Sequence, residues 1–148
     1  MSLQETINAE IMTAMRAKDA VRLRGLRAIK SAILIANTDG SGNVLDAERE
    51  IALLQKLVKQ RRDSLEIFTA QGRADLAVVE QEELATIQEF LPKQMTEDEL
   101  AAAVSAIIAE TGATSMKDMG KVMGAANKAL AGKTEGKFIS EMVKRLLA

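Results

Sequence analysis

The chain is predicted to be all-α. Apolar residues recur at three- and four-residue steps from end to end, and no stretch alternates apolar with polar as a half-buried strand would. Composition agrees: Ala, Leu, Met, Glu, Lys and Arg, which suit helices, dominate 148 residues that hold one proline.

Leu3, Ile7, Ile11 and Met15 line one face of a first helix. Asp19 stands where the N-cap of a second belongs, and Leu23, Leu26, Ile29 and Ile33 give that helix its inward face. TDGSGN, Thr38 to Asn43, is the clearest loop, with two glycines among small polar residues. Asp46 is placed to cap a long third helix carrying Leu54, Leu57, Val58, Leu65 and Phe68, and Gly72 ends it. Leu76, Leu84, Ile87 and Leu91 mark a fourth helix, which Pro92 must close or bend.

Pro92 also opens the best boundary, predicting a helical N-terminal domain over residues 1–92 and a three-helix tail domain over 93–148. Thr96-Glu97-Asp98-Glu99 has the spacing of a capping box, with Thr96 bonding forward and Glu99 back. The fifth helix then carries Leu100, Val104 and Ile107 as far as Gly112. Ser115 is expected to cap a sixth helix through Met119, Val122, Ala126 and Leu130. Gly132 to Gly136 reads as a turn, and Phe138, Ile139, Met142 and Leu146 complete a seventh helix.

Composition also narrows the chemistry. The chain has no His, Cys, Trp or Tyr. The usual general base near neutral pH, the thiol nucleophile and the common zinc ligands are therefore missing. No catalytic residue, metal or cofactor is assigned. The start, MSLQETINAEIM, lacks the apolar core of a secretory signal, and no apolar run approaches the roughly 20 residues that span a bilayer. No membrane partner is expected, and the expected location is the cytoplasm.

Against an overall charge of −1, one region stands out. From Gly112 onward there are seven basic residues (Lys117, Lys121, Lys128, Lys133, Lys137, Lys144 and Arg145) against three acidic ones (Asp118, Glu135 and Glu141). The same region repeats one dipeptide three times, as Gly120-Lys121, Gly132-Lys133 and Gly136-Lys137. Glycine lets a backbone approach a partner closely, and lysine is a compact cation that neutralises phosphate. A surface for a polyanion is the reading. A phosphate-binding P-loop is rejected, because Asn127 stands where its first glycine is needed and no strand precedes the turn.

Other patterns have plainer accounts. Gly120 and Gly124, spaced small-xxx-small, point first to close helix–helix contact and second to close approach of a nucleic-acid backbone. Arg16, Lys18, Arg22, Arg24, Arg27 and Lys30 form a second basic cluster. Lys59, Arg61 and Arg62 are expected to pair with Asp63 and Glu66 in their own helix. Glu80, Glu82, Glu83 and Glu89 read as a solvated helix face and not as a metal or acid–base site. Met116, Met119, Met123 and Met142 read mainly as core fillers, with an adaptable contact surface as the alternative.

Three blocks in order carry a family resemblance: KQRRDSLEIFTAQGRADLAVVEQEE (Lys59–Glu83), EFLPKQMTEDEL (Glu89–Leu100) and MGKVMGAANKALAGKTEGKFISEMVKRLL (Met119–Leu147). With them the chain resembles the GatB/YqeY family, as a free-standing YqeY-type protein, over nearly its whole length. The resemblance implies a helical N-terminal domain and a three-helix tail. It also implies kinship with the tail of the B subunit of glutamine-dependent aminoacyl-tRNA amidotransferase, a carbon–nitrogen ligase with glutamine as amido-N-donor. That tail contacts tRNA, and the catalytic domain has no counterpart in these residues. The implied function is therefore a tRNA-binding accessory module without its own active site, with tRNA as its partner and an amidotransferase or another protein as the candidate protein partner. A protein–protein adaptor without RNA binding is the alternative. Gly120, Lys121, Gly124, Gly132, Lys133, Gly136 and Lys137 match the tail signature and, with Lys117 and Lys128, are the candidate RNA contacts. Structured RNA is recognised largely by shape and phosphate contacts, and three Phe as the only aromatics argue against stacking of single-stranded bases.

Overall fold

A computed structural model describes residues 1–40 and 45–148. The fold is all-α: α1 (Leu3–Ala17), α2 (Ala20–Asn37), α3 (Ala47–Ala70), α4 (Ala74–Gln88), α5 (Glu97–Thr111), α6 (Met119–Ala129) and α7 (Gly136–Leu147), with a 3-10 turn at Met116–Asp118. The chain divides into two compact units, Met1–Leu91 and Pro92–Ala148, each with its own core. Residues 41–44 of the expected TDGSGN loop lie outside the described residues.

Local chemistry sets the helix ends. The Asp19 carboxylate accepts the Arg22 N–H at 3.0 Å, and Asp46 accepts the Arg49 N–H at 2.9 Å. Thr96 accepts the Glu99 N–H at 3.2 Å, the forward half of the expected box. A fully reciprocal box forms instead at α1, where Ser2 and Glu5 exchange bonds. Gly112 closes α5 with φ +69°, the left-handed region that glycine enters without strain. Two boundaries differ from expectation. Ser115 caps the 3-10 turn, and α6 begins only after it. Helix α4 stops at Gln88, ahead of Pro92, because Glu89, Phe90 and Leu91 tighten into three-residue hydrogen bonds.

Two inward faces also differ. In α1 Leu3 and Ile7 are buried as expected, but the face ends in Ala14, while Met15 is 55% exposed. A series stepped by four drifts about 40° per step around a 3.6-residue helix, so its last member leaves the face. In α7 Ile139, Met142, Val143 and Leu147 are buried, and Leu146 lies exposed.

In the first unit α2 packs against α1 and α4, and α4 packs along α3. Ile7, Leu26, Ile29, Ile33, Leu54, Val58 and Ile87 are fully buried, each contributing about 1.5–3 kcal/mol of apolar burial. The tightest approach lies at Gly25 on α2. A Cβ built there would sit 2.8 Å from the Cβ of Thr86 on α4. In the second unit α5, α6 and α7 surround Leu100, Val104, Val122, Ala126, Ile139 and Val143. A short strap before α5 clamps the α6–α7 turn: the Met95 N–H donates to Lys133 O at 2.9 Å, and the Gln94 amide donates to Gly132 O at 2.9 Å.

Gly25→Ala is expected to destabilise the protein by about 1–3 kcal/mol, since α2 and α4 must separate or Thr86 must shift. Urea denaturation measures it, and unchanged stability would show that the helices yield freely.

Candidate nucleic-acid interface

Helix α6 sorts its residues by side. Val122 and Ala126 are fully buried, while Gly120, Lys121, Gly124 and Lys128 are exposed on the opposite face. The close helix contact expected at the two glycines is not made: a Cβ at Gly120 or Gly124 would meet nothing within 4 Å. Packing inside the unit therefore gives no reason for glycine at either position. Lys117, on the 3-10 turn just before α6, is exposed as well.

The three Gly-Lys pairs occupy different settings. Lys121 lies in the first turn of α6, and its Nζ donates to Thr111 O at 3.0 Å, satisfying a carbonyl at the end of α5. This tether was not legible in the sequence. Gly132 is buried in the turn with φ +79°, so the strap fixes its backbone, while the Lys133 side chain stays exposed. Gly136 opens α7 and Lys137 follows it, both exposed. Lys137 stands in the first turn of α7, just after the N-cap residue Glu135. All three lysines and the solvent face of α6 thus lie on the surface of one unit, with the Gly132 backbone held inside.

The N-terminal charges tell a different story. The acidic stretch of α4 is not a solvated face, since Glu83 is 8% exposed. Arg24 donates from Nε to Glu83 at 3.2 Å and from Nη2 to Glu82 at 3.4 Å. Arg61 crosses from α3 to pair with Glu83 at 3.0 Å and Glu80 at 3.5 Å, in contacts outside hydrogen-bond angles. Arg22 pairs with Glu89 and with Glu10, and the Glu89 bond is the larger cause that raises its guanidinium pKa. In-helix pairing of the 59–62 run is made by Lys59 with Asp63 at 2.9 Å, whereas Arg61 pairs with another helix. Among the described residues no group of three or more acidic side chains could hold a metal. Of the methionines, Met142 is buried, Met119 and Met123 pack against the core, and Met116 is 45% exposed.

Two outcomes follow. Gly120→Ala with Gly124→Ala is expected to raise stability by about 0.5–1 kcal/mol per site, since each new methyl meets open space and the unfolded chain has less backbone freedom to lose. A lower melting temperature would reveal a need for those glycines inside the fold. Glu83→Gln is expected to cost about 1.5–3 kcal/mol, because it weakens bonds to two arginines together, and a chevron or urea midpoint reads it.

A family model described as Yqey-like protein matches residues 4–147. Among relatives, the protein named Altered inheritance of mitochondria protein 41, mitochondrial, from Lachancea thermotolerans is 33% identical over 106 residues, 70% of this chain and 57% of its own length. Its counterpart of the same name in Meyerozyma guilliermondii is 31% identical over 138 residues, 84% of this chain and 70% of its own. That in Eremothecium gossypii is 33% identical over 111 residues, 73% and 60% respectively. The chain thus spans less than two thirds of the first relative. The expected cytoplasmic location is corrected by these findings, since the relatives are mitochondrial proteins by name. With a family match from residue 4 to residue 147 and relatives above 30% identity, the chain belongs to the Yqey-like family.

Proposed function

We propose that the C-terminal unit is a contact module for structured RNA, with tRNA as the substrate class, acting beside a glutamine-dependent amidotransferase that supplies the carbon–nitrogen ligation. One observation carries the reading: Gly120 and Gly124 lie open on a helix face flanked by Lys117, Lys121 and Lys128, where the fold itself has no use for glycine. Bare backbone can approach a sugar-phosphate chain closely, and the lysines neutralise its charge. The exposed side chains of Lys133 and Lys137 extend the cationic surface. The competing reading, a protein adaptor, rests on the exposed Met116 beside the same face.

Titration with fluorescently labelled total tRNA tests the proposal. Affinity is expected to fall steeply with salt, by about 0.7–0.9 in logarithmic slope for each phosphate contact. Changing Lys121, Lys133 and Lys137 to Glu is expected to weaken binding at least about tenfold, or roughly 1.4 kcal/mol. The stabilised Gly120→Ala, Gly124→Ala protein is expected to bind more weakly although better folded, which separates contact from folding. Binding unchanged in both variants removes this face, and salt-insensitive capture of a protein partner favours the adaptor.

A further inference from the structure

In the first unit α2 and α3 both pack on α4 but touch each other only sparsely, and a groove of about 530 Å³ opens between them. Ala28, Ala32 and Ala36, spaced by four, form its α2 wall, and Leu53 and Leu57 form the α3 wall. Ile35 lies 69% exposed at its lip. A second hollow, with Leu45 and Ala52 in its lining, shares Ala36, Leu53 and Lys56 with the first and prolongs the groove toward the start of α3. From Ala28 to Asp39 the groove follows about three turns of α2, roughly 17 Å. A wall of small side chains over that length lets another helix lie close against it.

The charges along the groove decide what such a helix must carry. Asp39 faces Arg49 at 4.0 Å, and Asp63, just beyond the groove on α3, holds Lys59 at 2.9 Å. Both carboxylates are therefore compensated. Lys56 is not: it stands exposed in the α3 wall and forms no ion pair among the described residues. Its neighbours one turn away on the helix are Ala52, Leu53, Lys59 and Gln60, none of them acidic. Arg27, exposed beside the α2 wall, is in the same position, with Leu23, Arg24, Lys30 and Ser31 one turn away. At the inner end Arg61 is drawn to Glu80 and Glu83, yet its buried Nε–H has no hydrogen-bond acceptor. The groove thus joins an apolar floor to unopposed cations on both edges.

We infer that this groove docks an amphipathic helical segment of a protein partner whose apolar stripe is bordered by aspartate or glutamate. The stripe lies along the alanines and against Ile35, Leu53 and Leu57, as an apolar helix face fills a groove elsewhere. Its carboxylates pair with Lys56 on one edge and Arg27 on the other, and this complementarity sets the register of the segment. A nucleic acid would meet the two cations and leave the apolar floor uncovered. The site belongs to the N-terminal unit, so it goes beyond the RNA reading and does not depend on it.

The chain lacks Trp and Tyr, so a tryptophan in a probe peptide reports without background. The probe is the blocked peptide Glu-Glu-Leu-Ala-Glu-Trp-Leu-Ala-Glu-Leu-Glu, which places its large apolar residues on one helical face. Its counterpart carries Lys in place of every Glu. The acidic peptide is expected to shift its emission to the blue and saturate below about 1 mM, the weak end of specific recognition. Lys56→Glu is expected to weaken it at least about tenfold, and Ile35→Ala severalfold, both at positions open to solvent where the fold is spared. The Lys121, Lys133 and Lys137 to Glu variant is expected to keep the peptide while losing tRNA, so the two readings fail separately. Equal binding of the basic peptide, full binding by Lys56→Glu, no shift at that concentration, or displacement of the peptide from the triple variant by tRNA would overturn the assignment.

Discussion

Helix α2 lies against α4 because position 25 carries no side chain where the two backbones meet, and Thr86 fills the space that a Cβ would need. That approach has electrostatic consequences on either side of it. It brings Arg24 to Glu82 and Glu83, and Arg22 to Glu89, while α3 delivers Arg61 to Glu83 and Glu80. One half-exposed arginine row and one half-buried glutamate row cancel within the unit. The glutamates would be costly there alone, and the arginines make their burial tolerable. Of the basic cluster that the sequence shows, Arg22 and Arg24 enter this layer, while Arg16, Lys18 and Arg27 lie exposed outside it.

That cancellation gives the C-terminal lysines their significance. Near-neutral net charge hides a molecule in which Arg22, Arg24 and Arg61 of the N-terminal unit are engaged by glutamates, while the lysines of the C-terminal unit lie exposed. Lys121 is partly an exception, since it also holds the last turn of α5, so one residue serves fold and surface together. The strap from Gln94 and Met95 plays a similar double part. By binding the carbonyls of Gly132 and Lys133 it fixes the turn, and in fixing the turn it fixes where the Lys133 side chain leaves the surface.

Features set within four residues of sequence were readable in advance. Asp19, Asp46 and Thr96 cap their helices as their spacing requires, and Gly112 ends α5 in the conformation that only glycine enters cheaply. Features set between distant segments were not. The partners of Glu83 lie 59 and 22 positions away, and no local pattern distinguishes that network from a solvated face. Met15 was misplaced because a four-residue step drifts around the helix, and Ser115 because a 3-10 turn and a first α-turn share the same capping residue. For the candidate interface, the residue types were legible, but whether Gly120 and Gly124 face a neighbouring helix or water depends on tertiary packing.

The open glycines also bear on motion. Helix α6 has eleven residues, two of them glycine, and it anchors itself through Val122 and Ala126 with Leu130 just beyond. A segment so short has little helical stability of its own, and two glycines lower it further. Its order is borrowed from α5 and α7. Within the C-terminal unit the amide protons of α6 should accordingly exchange with solvent sooner than those of its neighbours, through local opening that leaves the rest of the core closed. A surface built on such a helix can adjust its curvature to what it meets at small energetic cost.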